Sequence, residues 1–179
     1  MESKNQSVSE LASAIRNIPD FPKPGIQFKD ITPILKDPDL YRKSIQLLAA
    51  PYRDMDIEYV VGIDARGFIF ASGVALELGA GFIPVRKKGK LPYRTMEESY
   101  DLEYGSNTIA IHEDALDKNS KVILIDDLLA TGGTALASIS LLNRQSVRLV
   151  GISFLIELSF LHARKKFDNP ELIRSILTY

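Results

Sequence analysis

The chain of 179 residues is 45% hydrophobic and 25% charged, a globular composition that excludes a disordered or fibrous protein and fits one domain over residues 1–179. Its 22 basic and 23 acidic side chains leave a net charge of -1, which excludes the broad electropositive surface needed for nonspecific nucleic-acid binding. Cysteine is absent, so disulfides, thiolate catalysis and thiolate–metal sites are excluded, and a reducing, cytoplasmic setting is expected.

Residues 1–10 are polar and lack the apolar core of an export signal. Ser7 and Glu10 have the S-x-x-E spacing of a capping box, and Leu11 and Ile15 follow on one helical face, predicting a short helix that begins there. Pro19, Pro22 and Pro24 end it in a loop. Asp37 before Pro38 reads as an N-cap ahead of a second helix with Leu40, Leu47 and Leu48 on its apolar stripe. A strand over 59–64, a helix over 68–78 closed by Gly79 and a strand over 82–86 make one βαβ unit.

Residues 87–104 are polar and broken by Gly89 and Pro92, and a connection of that length predicts a mobile lid. Strands follow over 107–111 and 122–125, then a helix over 134–143 and a strand over 147–155, a second βαβ unit. The most apolar run, 149–161, is too short to cross a bilayer and is interrupted by Glu157, so no membrane partner is expected. The fold class is α/β, with a mainly parallel central sheet and helices on both faces.

The chemistry concentrates in residues 122–135, V-I-L-I-D-D-L-L-A-T-G-G-T-A. Four apolar residues make a buried parallel strand, and Asp126 and Asp127 fall at its C-terminal end, where open α/β sheets bind ligands. Ala130, Thr131, Gly132, Gly133 and Thr134 then supply small residues leading into a helix, whose N–H groups and positive end suit a phosphate. The acids suit hydroxyl donors and positive charge, so together the two halves describe a phosphorylated sugar. The bland alternative is a turn with an N-cap and closely packed glycines. Neither G-x-x-x-x-G-K-[ST] nor G-x-G-x-x-G occurs, which disfavours an ATPase or a Rossmann dehydrogenase.

This string resembles the phosphoribosyl-pyrophosphate signature of the type I phosphoribosyltransferases, and its L-L-A-T-G-G-T form is similar to that of adenine-using members. The resemblance runs on through F-P-K-P-G-I-Q-F-K-D at 21–30, D-A-R-G-F at 64–68, R-K-K-G-K-L-P at 86–92 and Y-D-L-E-Y at 100–104. It implies transfer of a phosphoribosyl group from 5-phosphoribosyl-1-pyrophosphate to adenine, a small N-terminal base-binding hood over about 1–36, a homodimer, and Mg2+ entering with the pyrophosphate rather than in a site made by protein ligands alone.

The same resemblance assigns Asp64, Ala65 and Arg66 to a pyrophosphate loop, often with a non-proline cis peptide, and Arg86 and Lys90 to the same anion. Lys87 and Lys88 supply longer-range attraction to this site or a neighbouring subunit's. Glu103 is placed at adenine N7 as a proton partner, with Tyr104 beside it. Gln27, Phe28 and Lys29 form the hood, and Leu158 the opposite wall of the base slot. Lys29 stands where many relatives carry arginine. Read singly, Arg66 is also a surface ion-pair partner, Glu103 a solvated loop carboxylate, and Phe28 and Leu158 core residues. His112 and His162 have no ligand spacing and read as structural. Two rivals remain open: a sensor of the phosphorylated sugar without catalysis, and a transferase for guanine, xanthine or orotate.

Overall fold

A computed structural model describes residues 4–101 and 106–179. Its first helix, α1 (Lys4–Ala14), begins earlier than the capping box predicts: Ser7 and Glu10 lie inside it. Glu10 instead reaches across to Lys43 at 2.6 Å and accepts from Gln6 one turn before, so tertiary pairing takes the carboxylate that a box would use. β1 (Arg16–Ile18) and β2 (Phe28–Asp30) then form an antiparallel two-stranded sheet of their own. The proline-rich residues between them make the turn.

The short helix α2 (Thr32–Lys36) leads into α3 (Pro38–Ala49), which starts as the sequence predicts. Asp37 Oδ1 accepts from the N–H groups of Asp39 and Leu40 at 2.9 and 3.0 Å, a cap that stabilises by about 1 kcal/mol.

β3 (Tyr59–Ile63), α4 (Arg66–Leu78) and β4 (Gly81–Lys87) are the first βαβ unit, with Gly79 ending α4 at φ 66°. Within the segment expected to form a lid, the described residues 87–101 include a regular strand. It is β5 (Thr95–Asp101), which pairs antiparallel along its length with β6 (Ser106–His112). Met96 and Tyr100 share one side of this strand with Glu98, whose charge breaks the period-2 alternation that would have marked it in the sequence.

The second unit comprises β7 (Lys121–Leu129), α5 (Gly133–Arg144) and β8 (Arg148–Glu157), followed by short 3-10 turns and β9 (Ile173–Thr178). The seven-stranded sheet has the order β5-β6-β4-β3-β7-β8-β9. The five strands from β4 through β9 in that order are mutually parallel, and β6 alone runs against them, pairing antiparallel with both β4 and β5. Both faces are covered. Along β7, Ile123 and Ile125 enter the core that holds Leu48 and Phe70 from α3 and α4, whereas Val122 and Leu124 enter the one that holds Ala137 and Leu141 from α5. Among the described residues, no helix is long and apolar enough to cross a membrane.

Candidate active site

Three adjacent parallel strands deliver the polar residues to one edge of the sheet. β3 ends at Ile63 and hands the chain to Asp64, whose peptide bond to Ala65 is cis, as the resemblance implied for this loop. Arg66 and Gly67 open α4. Gly67 is required by proximity: a Cβ there would stand 2.5 Å from Asp126 Oδ1, so a larger residue would push the carboxylate or the helix aside. β7 runs further than predicted and carries both Asp126 and Asp127 within the strand.

A cavity of about 270 Å3 lies at this edge, lined by Asp64, Ala65, Arg66, Asp126, Asp127 and Thr134. Arg66 Nη2 stands 2.7 Å from Asp127 Oδ2, an ion-pair contact whose angle leaves that oxygen without a formal hydrogen bond. Arg86 Nε holds Asp64 Oδ2 at 3.1 Å, and its Nη1 donates to the Lys90 carbonyl at 3.1 Å, which folds the 87–90 turn against the cavity. The Lys90 residue itself is exposed.

Burial pushes the carboxyl of Asp126 well above the ordinary carboxylate range, and the negative charge of Asp127 adds to that. Asp127 is also raised by burial, but Arg66 opposes the rise. The neighbours are therefore unequal: Asp126 retains its proton to higher pH, and Asp127 carries the charge that Arg66 balances.

Beyond Leu129 the backbone turns through Ala130 and Thr131 to Gly132, which has φ 86° and precedes the first residue of α5. Phe167 covers Gly132 from behind, where a Cβ would meet its ring at 3.1 Å. No side chain caps α5, and a hollow of about 80 Å3 lies against residues 128–135. Uncapped N–H groups and the positive helix end suit an anion. On its other side Thr134 Oγ1 donates to the Tyr100 hydroxyl at 2.9 Å, and Tyr100 packs over Gly133.

Of the residues that the resemblance assigns to the hood, Phe28 and Lys29 sit on β2 and Gln27 comes just before it. Phe28 meets Phe21 edge-on at 5.1 Å, and the Arg66 guanidinium lies 5.3 Å from its ring centre. Lys29 points elsewhere, donating to Asn17 Oδ1 at 2.6 Å and covering the Tyr179 ring at 3.8 Å. Gln27 is exposed. Leu158 follows β8, its N–H donating to the Leu129 carbonyl at 2.9 Å, so this wall is fixed to the strand that carries the acids. Glu103 and Tyr104 lie outside the described residues.

Asp64, Ala65, Arg66, Asp126, Asp127 and Thr134 thus meet at one cavity. Phe28 borders it through Arg66. Sequence reasoning missed Tyr100, although it begins the Y-D-L-E-Y run quoted for the resemblance, and it missed Tyr179. It gave Lys87 only a distant role, whereas Lys87 lines the cavity.

Residues 30–171 match the Phosphoribosyl transferase domain. An adenine phosphoribosyltransferase of Acidothermus cellulolyticus is 52% identical over 171 residues, covering 95% of this chain and 96% of that protein. Among solved structures, the adenine phosphoribosyltransferase of Rhodothermus marinus superposes with a TM-score of 0.92 at 49% identity, covering 98% of this chain and 99% of the other. That of Saccharomyces cerevisiae, complexed with an imino-altritol bisphosphate and adenine, gives 0.91 at 38% identity and covers 97% and 99%. With the motif, the strand order and the cavity all in agreement, the chain belongs to the phosphoribosyltransferase family, on its adenine phosphoribosyltransferase branch.

Proposed function

We propose that this protein transfers the 5-phosphoribosyl group of 5-phosphoribosyl-1-pyrophosphate to N9 of adenine, giving AMP and pyrophosphate. The observation that carries this reading is the paired carboxylates of Asp126 and Asp127 beside Arg66, next to an uncapped helix start at 130–134.

The 5-phosphate seats at residues 130–134, with Thr134 turning its hydroxyl from Tyr100 to the anion. The ribose hydroxyls donate to Asp126 and Asp127, which also favour the positive charge that grows on the sugar as the anomeric bond to pyrophosphate breaks. Asp64, Ala65 and Arg66 receive the pyrophosphate, joined by Arg86 and Lys90 from the neighbouring turn. Arg66 then exchanges its Asp127 contact for the leaving group. The anomeric carbon gains a bond to adenine N9, and the proton lost from the base passes to Glu103 near N7 or to water. Adenine lies between Phe28 and Leu158.

Magnesium enters with the donor and offsets pyrophosphate charge. It would arrive bound to the donor's oxygens and keep several waters, so no direct protein ligand is assigned to it. No covalent nucleophile takes part. The 87–104 segment acts as a lid, and β5 within it is paired along its length with β6. A cytoplasmic homodimer completes the reading.

The test is turnover of adenine, hypoxanthine, guanine and orotate with the phosphoribosyl donor and magnesium. AMP formation exceeding the others by about 1,000-fold or more is expected, because a site that pairs a base's polar edge strongly rejects one that leaves it unpaired. Equal use of hypoxanthine removes adenine specificity, and no turnover of any base favours a sensor.

A further inference from the structure

Lys29 and Phe28 are consecutive on β2, and successive side chains of a strand point to opposite sides. Phe28 turns toward Phe21 and Arg66. Lys29 turns away, its ammonium 3.8 Å above the Tyr179 ring and 2.6 Å from Asn17 Oδ1. Tyr179 also brackets the other wall of the slot through its backbone. Its N–H donates to the Glu157 carbonyl at 2.9 Å, and its carbonyl accepts from the N–H and hydroxyl of Ser159 at 2.8 and 2.7 Å. Leu158 is the residue between.

From this juxtaposition we infer that Lys29 and Tyr179 are a positioning pair that sets the base slot: the ammonium resting on the Tyr179 ring fixes the Phe28 strand relative to Leu158. Lys29 then acts on adenine through Phe28 and not by touching the base. This rests on the adenine reading above. The physical basis is a cation held over an aromatic face, reinforced by a second hydrogen bond that keeps the ammonium in place. An arginine can stack on the same ring, and a phenylalanine offers the same face, so both substitutions preserve the brace.

The experiment compares Lys29→Met, Lys29→Arg, Tyr179→Leu and Tyr179→Phe in steady-state kinetics and in amide hydrogen exchange of the ligand-free protein. Lys29→Met and Tyr179→Leu are expected to raise the KM for adenine about three- to tenfold, with the donor KM and kcat at saturating adenine within about twofold of the parent. Lys29→Arg and Tyr179→Phe are expected to stay near the parent. Exchange at residues 28–30 and at 157–159 should quicken together in Lys29→Met.

An unchanged adenine KM in Lys29→Met, or equal rises in both KM values, overturns the pair. If Lys29→Arg is as impaired as Lys29→Met, the ammonium contacts the base itself and the inference is wrong. Should the parent protein use no adenine at all, the functional reading fails, and exchange alone decides: faster exchange in both segments supports the brace, and unchanged exchange in either segment overturns it.

Discussion

At the scale of single residues, Asp126 and Asp127 share a strand end but not an environment. Both are withdrawn from water, but Asp127 faces Arg66 and keeps more of its negative charge, whereas half-buried Asp126 has no such cation in contact among the described residues and is abutted by Gly67. A carboxylate whose charge acts mainly on the transition state affects turnover more than ground-state binding. Asp127→Asn is therefore expected to lower kcat by about 100-fold or more, the scale of losing one electrostatic stabiliser, while donor affinity changes less than tenfold. Rapid-quench turnover and calorimetric donor binding would measure the two. Equal losses in both would make Asp127 a binding residue only.

Asp64, Arg66, Asp126 and Asp127 were legible because each sits at a strand end whose local pattern announces the turn. Tyr179 and its pairing with Lys29 were not. Their contact joins residues at opposite ends of the chain, and no local periodicity encodes such a meeting.

Among the elements, the regular ones followed their end signals. Asp37 with Pro38 located α3, and Gly79 ended α4. Where the signal was a motif without context, it misled: Ser7 and Glu10 match a capping box but lie within a helix. β5 was hidden because Glu98 interrupts the side that Met96 and Tyr100 share, and its start follows a glycine and a proline.

The pairing of β5 with β6 also limits how a lid can work. Tyr100 meets Thr134, and Arg144 donates to the Glu97 carbonyl at 2.8 Å, so β5 rests on α5. Lys88 is engaged by Glu97 at 2.7 Å, leaving exposed Lys90 and Arg94 as the places where trypsin should cut first in the free protein. Saturation with magnesium, donor and a nonreactive adenine analogue should slow that cleavage, by on the order of 100-fold when ligand is present at 100 times Kd and cutting requires opening. Mass mapping of the fragments would read it. Cleavage that avoids both sites, or proceeds equally fast with ligand bound, would retire the lid.

For the molecule as a whole, the cost of the buried acid is a matter of global stability. Asp126 titrates well above 3.8 in the fold, while the unfolded chain ionises it near that value. As pH rises through this interval, the unfolded state loses its proton first and is favoured; the native state's contribution from this group is full below 3.8 and is lost toward the folded pKa. Asp126→Asn escapes that penalty. Its Tm advantage over the parent is expected to be small at about pH 4 and larger at about pH 7, even as its turnover falls. Melting curves across pH check this, and a constant or declining advantage would contradict the buried-acid account.

The parallel centre of the sheet was readable from two βαβ patterns and their apolar strands. β9 and the three-residue strands β1 and β2 were not, because strands that brief, or bounded by 3-10 turns, present too little alternation.

The separateness of β1 and β2 from the large sheet has an evolutionary meaning. In the proposed reading, the Phe28 wall of the base slot and the seat of the activated sugar lie on different pieces of backbone. Drift in the hood can alter which ring is welcomed without disturbing the carboxylates and the phosphate seat, so a lineage can explore new acceptors while its donor chemistry stays intact.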